Sequence, residues 1–283
     1  MSEIGFENLE LLSSRQNKTL KEAISLKITR QAKKHGLMLL EGLRQVSTAL
    51  QAMEGLCYIL FSDNEEGLAC FTNLQETFHT KKHPELFVSD LDLLRRVDSK
   101  LFKEITDTEE YQGIIAVFKA PTIASLAQVD IPKQGRYLAL EDCRDPGNLG
   151  AIIRTVEALN LDGLILLADY VWPYNCKSLR AAMGSALFLN IYQASDVEEL
   201  RRFSANLDFI SADLSGENLS AYSPEQSRNG FILLLGNEAH GLSPEAKSAV
   251  DFSLHIAMGG KAESLNLAAS AAIMAWALRE KYK

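Results

Sequence analysis

At 283 residues, 47% hydrophobic and 23% charged, the chain is long enough for two packed domains and too apolar to remain unfolded. It has no apolar run of the roughly 18 to 20 residues that a bilayer crossing needs. Its start, MSEIGFENLE, also lacks the basic and apolar regions of a secretory leader, so a cytoplasmic protein is expected. The net charge of −8 argues against a protein that coats nucleic acid with its whole surface.

The charge is unevenly spread. Between Ser13 and Ser47, eight basic residues stand against Glu22 and Glu41, a local net charge of +6. Such a segment is an electrostatic footprint for a polyanion, although a solvated helix face accounts for the charge equally well. The stretch SSRQNKTLKEAISLKITRQAKKHG predicts one amphipathic basic helix, with Leu20, Ala23, Ile24, Leu26 and Ile28 inward and Gly36 as its stop. Arg15, Lys18, Lys21, Arg30, Lys33 and Lys34 are the candidate phosphate-binding residues.

Strands and helices then alternate: a strand at LMLLEG, a helix at LRQVSTALQAM, a strand at CYILFS, a helix through the sixties and seventies, and strands at LFVS and GIIAVFK. The alternation indicates an α/β layer over residues 1–120. APTIASLAQVDIPKQG, with Pro121, Pro132 and Gly135, reads as a linker over 121–135. Beyond it, 136–283 forms a second α/β domain. Its predicted strands are RYLALE, GLILL, LDFISA, GFILLLG and FSLHIA; its helices begin at Gly150, near KSLRAAMG, and at SLNLAASAAIMAWALREKY. The expected sheet is mostly parallel, with five or six strands.

Parallel strands end on one edge of a sheet, and ligands bind outside that edge. Three loops there carry unusual residues. In EDCRDPGNLGAIIRT, Pro146 and Gly147 make a turn, Asn148 can cap, Gly150 permits close backbone approach, and Arg154 follows on the helix. In LLLGNEAHGLSPEA, Gly236 and Gly241 frame Asn237 and Glu238, polar groups at the end of an apolar run. In HIAMGGKAESLNLAAS, Ser264 and Asn266 open a helix whose alanines allow close packing. The four cysteines form no CxxC pair, and neither His240 nor His255 has a matched ligand partner, so no metal is expected. Signatures GxGxxG, GxxxxGK[ST] and GxSxG are absent.

DPGNLGAIIRT, LLGNEAHGLS and IAMGGKAESLNLAASAAI together resemble, in order and spacing, the three motifs of the SpoU (TrmH-like) RNA ribose 2'-O-methyltransferases of the SPOUT class. More loosely, QNKTLKEA, MLLEGLRQV and YQGIIAVF resemble that family's substrate-binding domain, which is like a small ribosomal RNA-binding protein. The resemblance implies a carboxyl-terminal α/β trefoil-knot domain, a smaller amino-terminal α/β RNA-binding domain, a homodimer and S-adenosylmethionine as cofactor. It places cofactor contacts at Gly236, Ile256, Met258 and Leu265, and catalytic roles at Arg154, Asn148, Glu238, Ser264 and Asn266. Two departures stand out, Ala257 where the family commonly has proline and Ala239 where it has glycine.

The implied function is methylation of a ribose 2'-hydroxyl in RNA, with 23S rRNA first and tRNA second as substrate. An inactive relative serving as an RNA-binding assembly factor, or a small-molecule-binding α/β protein, are readings of another class. For Arg154 two roles compete, proton abstraction and cationic clamping of a phosphate. A guanidinium, with a pKa above about 12, is a poor base, which favours the clamp.

Overall fold

The computed structural model describes residues 5–78, 91–108, 110–129, 134–203, 206–224 and 230–282. The chain divides into two compact units, Met1–Pro121 with Tyr174–Arg180, and Thr122–Pro173 with Ala181–Lys283.

In the first unit the elements run β1 (Glu10–Leu12), α1 (Lys18–Leu26), α2 (Thr29–His35), β2 (Leu37–Glu41), α3 (Leu43–Ala52), β3 (Leu56–Ser62), α4 (Glu65–Phe78), β4 (Leu94–Val97), α5 (Ser99–Ile105) and β5 (Ile114–Lys119). The sheet order is β1-β4-β3-β5-β2, with β1, β4 and β3 parallel and β5 antiparallel to both its neighbours. The expected strand at 86–89 lies outside the described residues. Among the described residues β3 lies between β5 and β4, and pairs Ile59 with Leu94 of β4.

The single basic helix expected here is two. The Asn17 side chain caps α1 by accepting from the backbone of Thr19 and Leu20, and Gly36, at φ 63°, ends α2. Between them Ile28 is extended, and Lys27 turns inward to donate to the carbonyls of Glu104 (3.0 Å) and Thr106 (2.7 Å) at the end of α5. A cation against the last carbonyls of a helix is favourable, so this tertiary contact wins over continuation of the helical period.

The second unit runs β6 (Ala124–Ser125), β7 (Arg136–Glu141), α6 (Pro146–Ala158), β8 (Gly163–Leu167), α7 (Cys176–Ala182), β9 (Ile191–Gln193), α8 (Val197–Phe203), β10 (Asp208–Asn218), β11 (Phe231–Leu235), α9 (Pro244–Ala249), β12 (Phe252–His255) and α10 (Leu267–Lys281). Helix α7 begins in the first unit's Tyr174–Arg180 segment. Among the described residues seven strands, not five or six, form the sheet, in the order β12-β10-β11-β7-β8-β9-β6, and each of their pairings is parallel. The two unexpected strands are short: β9, and β6 inside the segment read as linker. Part of that segment, Pro132 included, lies outside the described residues.

The central strands β7, β8 and β11 are buried along their whole length apart from Arg136, as a sheet covered on both faces requires. Tyr137, Ala139, Ile165, Phe209, Ile232 and Leu234 belong to one core cluster beneath them. Helix α10 packs against α6, β11 and β7, burying Ala271, Met274, Ala275 and Leu278. At its far end Tyr282 donates to the carboxylate of Asp208, which is 1% exposed and also accepts from Tyr222 at 3.0 Å. No helix among the described residues is long and apolar enough to cross a membrane.

Candidate active site

The carboxyl ends of β11 and β12 and the middle of β10 border a cavity of about 440 Å³, lined further by Ile256, Met258, Ser264, Leu265 and Asn266 and by the first turns of α10. Its size suits a nucleoside-sized ligand. The loop after β11 contributes Gly236, Asn237, Glu238 and Gly241 to the lining, and the segment after β12 contributes Ile256, Met258, Ser264, Leu265 and Asn266.

The loop after β7 meets this rim because of how α6 begins. That helix starts at Pro146, not at Gly150: Asp145 caps it by accepting from the Asn148 backbone at 2.8 Å, and a proline in the first turn lacks an N–H that would go unpaired there. Gly150 is therefore buried inside the helix rather than free to approach a ligand. With Asp145 as cap, the Asn148 amide is released for another task. Its Nδ2 donates to Glu238 Oε1, and its Oδ1 accepts from Asn266 Nδ2 at 2.9 Å. One residue from each of the three loops thus joins a single chain of hydrogen bonds. Asn266 uses its own Oδ1 to cap α10, accepting from Ala268 (2.9 Å) and Ala269 (3.4 Å).

Asn237 was expected to hold a backbone amide and does, while its tie to Asp142 and that of Glu141 to Ser243 are new. Asn237 Nδ2 donates to the carbonyl and carboxylate of Asp142 (3.0 and 3.1 Å), while its Oδ1 accepts from the Ala239 backbone at 2.8 Å. Asp142 holds a left-handed backbone, φ 56°, which aspartate tolerates better than most residues. Glu141, 9% exposed at the end of β7, accepts both the backbone N–H (2.9 Å) and the hydroxyl (2.7 Å) of Ser243, the cap of α9. A carboxylate closing the apolar run RYLALE was the available sequence signal. The Gly236 position admits no side chain, since a Cβ there would lie 2.3 Å from the backbone carbon of Gly241.

Arg154 is not part of the cavity lining. It is exposed on α6, and its Nη1 contacts the Met183 sulfur at 3.1 Å. Ser264 is exposed at the rim. The six basic candidates of the first unit are all exposed. Arg15 pairs with Glu104 (2.6 Å), and Lys21 donates to Gln16. No group of three metal-ligating side chains occurs among the described residues. Burial pushes the Cys143 thiol beside the first loop up to about 12, leaving it a poor nucleophile.

Residues 135–276 match the model of the SpoU rRNA Methylase family. Among curated proteins, the chain is 26% identical to the 23S rRNA (guanosine(2553)-2'-O)-methyltransferase of Bacillus subtilis, over 96% of this chain and all of the relative. It is 27% identical to the 23S rRNA (uridine(2479)-2'-O)-methyltransferase of Streptomyces viridochromogenes, over 87% of this chain and 84% of that one. Among solved structures, the AdoMet-bound rRNA methyltransferase from Sinorhizobium meliloti matches with a TM-score of 0.80 at 25% identity, covering 96% of this chain and 97% of that one.

Proposed function

The chain belongs to the SpoU rRNA methylase family, and from that premise we propose that it transfers the methyl group of S-adenosylmethionine to a ribose 2'-hydroxyl of 23S rRNA. The observation that carries this reading is the hydrogen-bond chain Asn266–Asn148–Glu238, which gathers three loops around one nucleoside-sized cavity. Relatives named for 23S rRNA ribose methylation, aligned along nearly the whole chain, support the substrate class. One is named for a guanosine and the other for a uridine, which argues that residues common to them do not read the base. A cytoplasmic site of action follows from the proposed substrate.

The cavity fits the cofactor, with Leu235, Leu254 and Met274 as apolar lining beside the polar Asn237, Ser264 and Asn266. Gly236, Ile256, Met258 and Leu265 would hold it. When bound it supplies a methyl group activated on a sulfonium, so the chain's own task is positioning. Asn148 and Glu238 brace the loops, and Ser264 and Asn266 orient the ribose. Arg154, remaining cationic, clamps a neighbouring phosphate and stabilises the hydroxyl oxygen as its proton passes to solvent water. The basic residues of α1 and α2, together with Arg15, hold phosphates away from the reacting ribose.

The carboxyl-terminal trefoil knot is proposed on the strength of the family membership alone. A homodimer is supported by the apolar face α10 leaves uncovered, where Ile273 is 43% and Trp276 58% exposed. Sedimentation tests it: the wild type is expected at twice the mass of Trp276→Glu, and equal masses would remove the dimer.

The reading as a whole is tested by transfer of label from methyl-labelled S-adenosylmethionine to 23S rRNA and, separately, to tRNA. Label is expected in 23S rRNA, and loss of it with Arg154→Ala. Label confined to tRNA would move the substrate; label in neither RNA, and in no ribosomal particle, would end the enzymatic reading.

A further inference from the structure

Arg154 stands on an exposed face of α6, where a long side chain has many rotamers and holding one of them costs entropy. Its guanidinium has a partner in sulfur, since Nη1 donates to Met183 Sδ at 3.1 Å. The backbone explains how Met183 reaches it. Helix α7 ends at Ala182; Met183, the next residue, is left-handed at φ 49°, and Gly184 follows at φ 94°. A left-handed residue just after a helix is usually glycine, because a Cβ is disfavoured there. Asp142 and Asn160 hold the same conformation with short polar side chains that offset the cost, whereas methionine has none.

The surroundings impose this turn. Ala182 and Ala186, on either side of it, are buried. Leu187 and Phe188 donate to the carbonyls of Gly184 and Ser185, both at 3.1 Å, which closes a single helical turn over Ser185–Leu187. That turn packs on α6, where Ser185 Oγ donates to Glu157 Oε2 at 3.2 Å, one helical turn beyond Arg154. Met183 itself is 44% exposed, so core packing does not account for the strain. Strained backbone that its neighbours over-determine clusters at functional sites.

The chemistry of the contact suits a catalytic cation. A thioether is a weak, uncharged acceptor, so it takes one guanidinium N–H, leaves the others for a phosphate and cancels none of the charge. A carboxylate would cancel it. Glu157 lies three residues along α6, at a spacing that faces Arg154, and its Oε2 is engaged by Ser185 instead.

Resting on the function proposed above, we infer that Met183 is a positioning residue for the reaction: the left-handed turn after α7 holds its sulfur against Arg154, and the sulfur fixes the orientation of the guanidinium that clamps the phosphate.

Two substitutions test this. Met183→Gly suits the left-handed backbone and removes the side chain, while Met183→Leu keeps apolar bulk without the acceptor. Both are expected to lower kcat for methyl transfer to 23S rRNA about tenfold, as loss of orientation of a reacting group does. The dissociation constant of S-adenosylhomocysteine should not change, because Met183 does not line the cavity. The Tm of Met183→Gly should be unchanged or raised, which a merely structural residue would not allow. A second readout needs no turnover: nitrogen relaxation of the Arg154 Nε–H, identified by its absence from Arg154→Lys, should show motion of larger amplitude in both variants than in the wild type. Full kcat in either variant, or unaltered Arg154 motion, overturns the proposal, and so does a fall in Tm that parallels the loss of rate. If the wild type labels no RNA, the proposed function falls, and the relaxation measurement by itself still decides whether Met183 holds Arg154.

Discussion

Asn148 shows how a residue's role follows from what its neighbour does first. Because Asp145 caps α6, both ends of the Asn148 amide are available, and donor and acceptor each find a different loop. Asn148→Asp separates the local from the long-range role. A carboxylate in the first turn of a helix is favourable, so α6 should hold. The new charge would face Glu238, however, and the donor between the loops would be gone. The expected outcome is a fall of about tenfold or more in methyl transfer with Tm nearly unchanged. A matching loss of Tm in a thermal scan would instead make Asn148 a structural residue only. Arg154 is the contrasting case, because its sequence context identified it while its position on α6 leaves it outside the cavity of its own chain.

Elements were legible to the extent that their burial is uniform. Strands β7, β8 and β11 announce themselves as unbroken apolar runs because both faces of a parallel sheet are covered. Strands β6 and β9, of two and three residues, have too few side chains to carry a period. The start of α6 was misread because two residues, Asp145 and Asn148, both had the chemistry of a cap, and only the fold chooses between them. Strand β10 bulges where Leu254 of β12 faces Ala212 and then Glu217, and Gly216 inside the strand was its local trace. The loop after β11 was recognisable from its glycines, and the strictness of the Gly236 position adds a prediction. Gly236→Ala would drive a methyl carbon into the Gly241 backbone, costing about 1 to 3 kcal/mol as overpacking does. Calorimetric unfolding should show that loss together with weakened cofactor binding; an unchanged Tm would mean that the loop relaxes freely.

Across the whole molecule, acidic composition and a basic segment coexist: the chain carries −8, yet residues 13–47 carry +6. RNA affinity should therefore depend on salt through a few local contacts rather than through overall charge. Replacing Arg30, Lys33 and Lys34 together by glutamine should lower the slope of log affinity against log salt by up to about 2, near 0.7 for each phosphate lost from single-stranded RNA. An unaltered slope in filter-binding titrations would assign these residues to a merely solvated helix face. The chain of amides and carboxylate around the cavity has a different reach. Its two links join residues 90 and 118 positions apart, so no short stretch of polypeptide can assemble the pocket by itself. Whatever enters it recognises only the completed second unit, and occupancy becomes linked by mass action to global folding. At a hundred times its dissociation constant such an occupant adds about 2.7 kcal/mol to stability, and the supply of cofactor becomes a determinant of how long the folded protein persists.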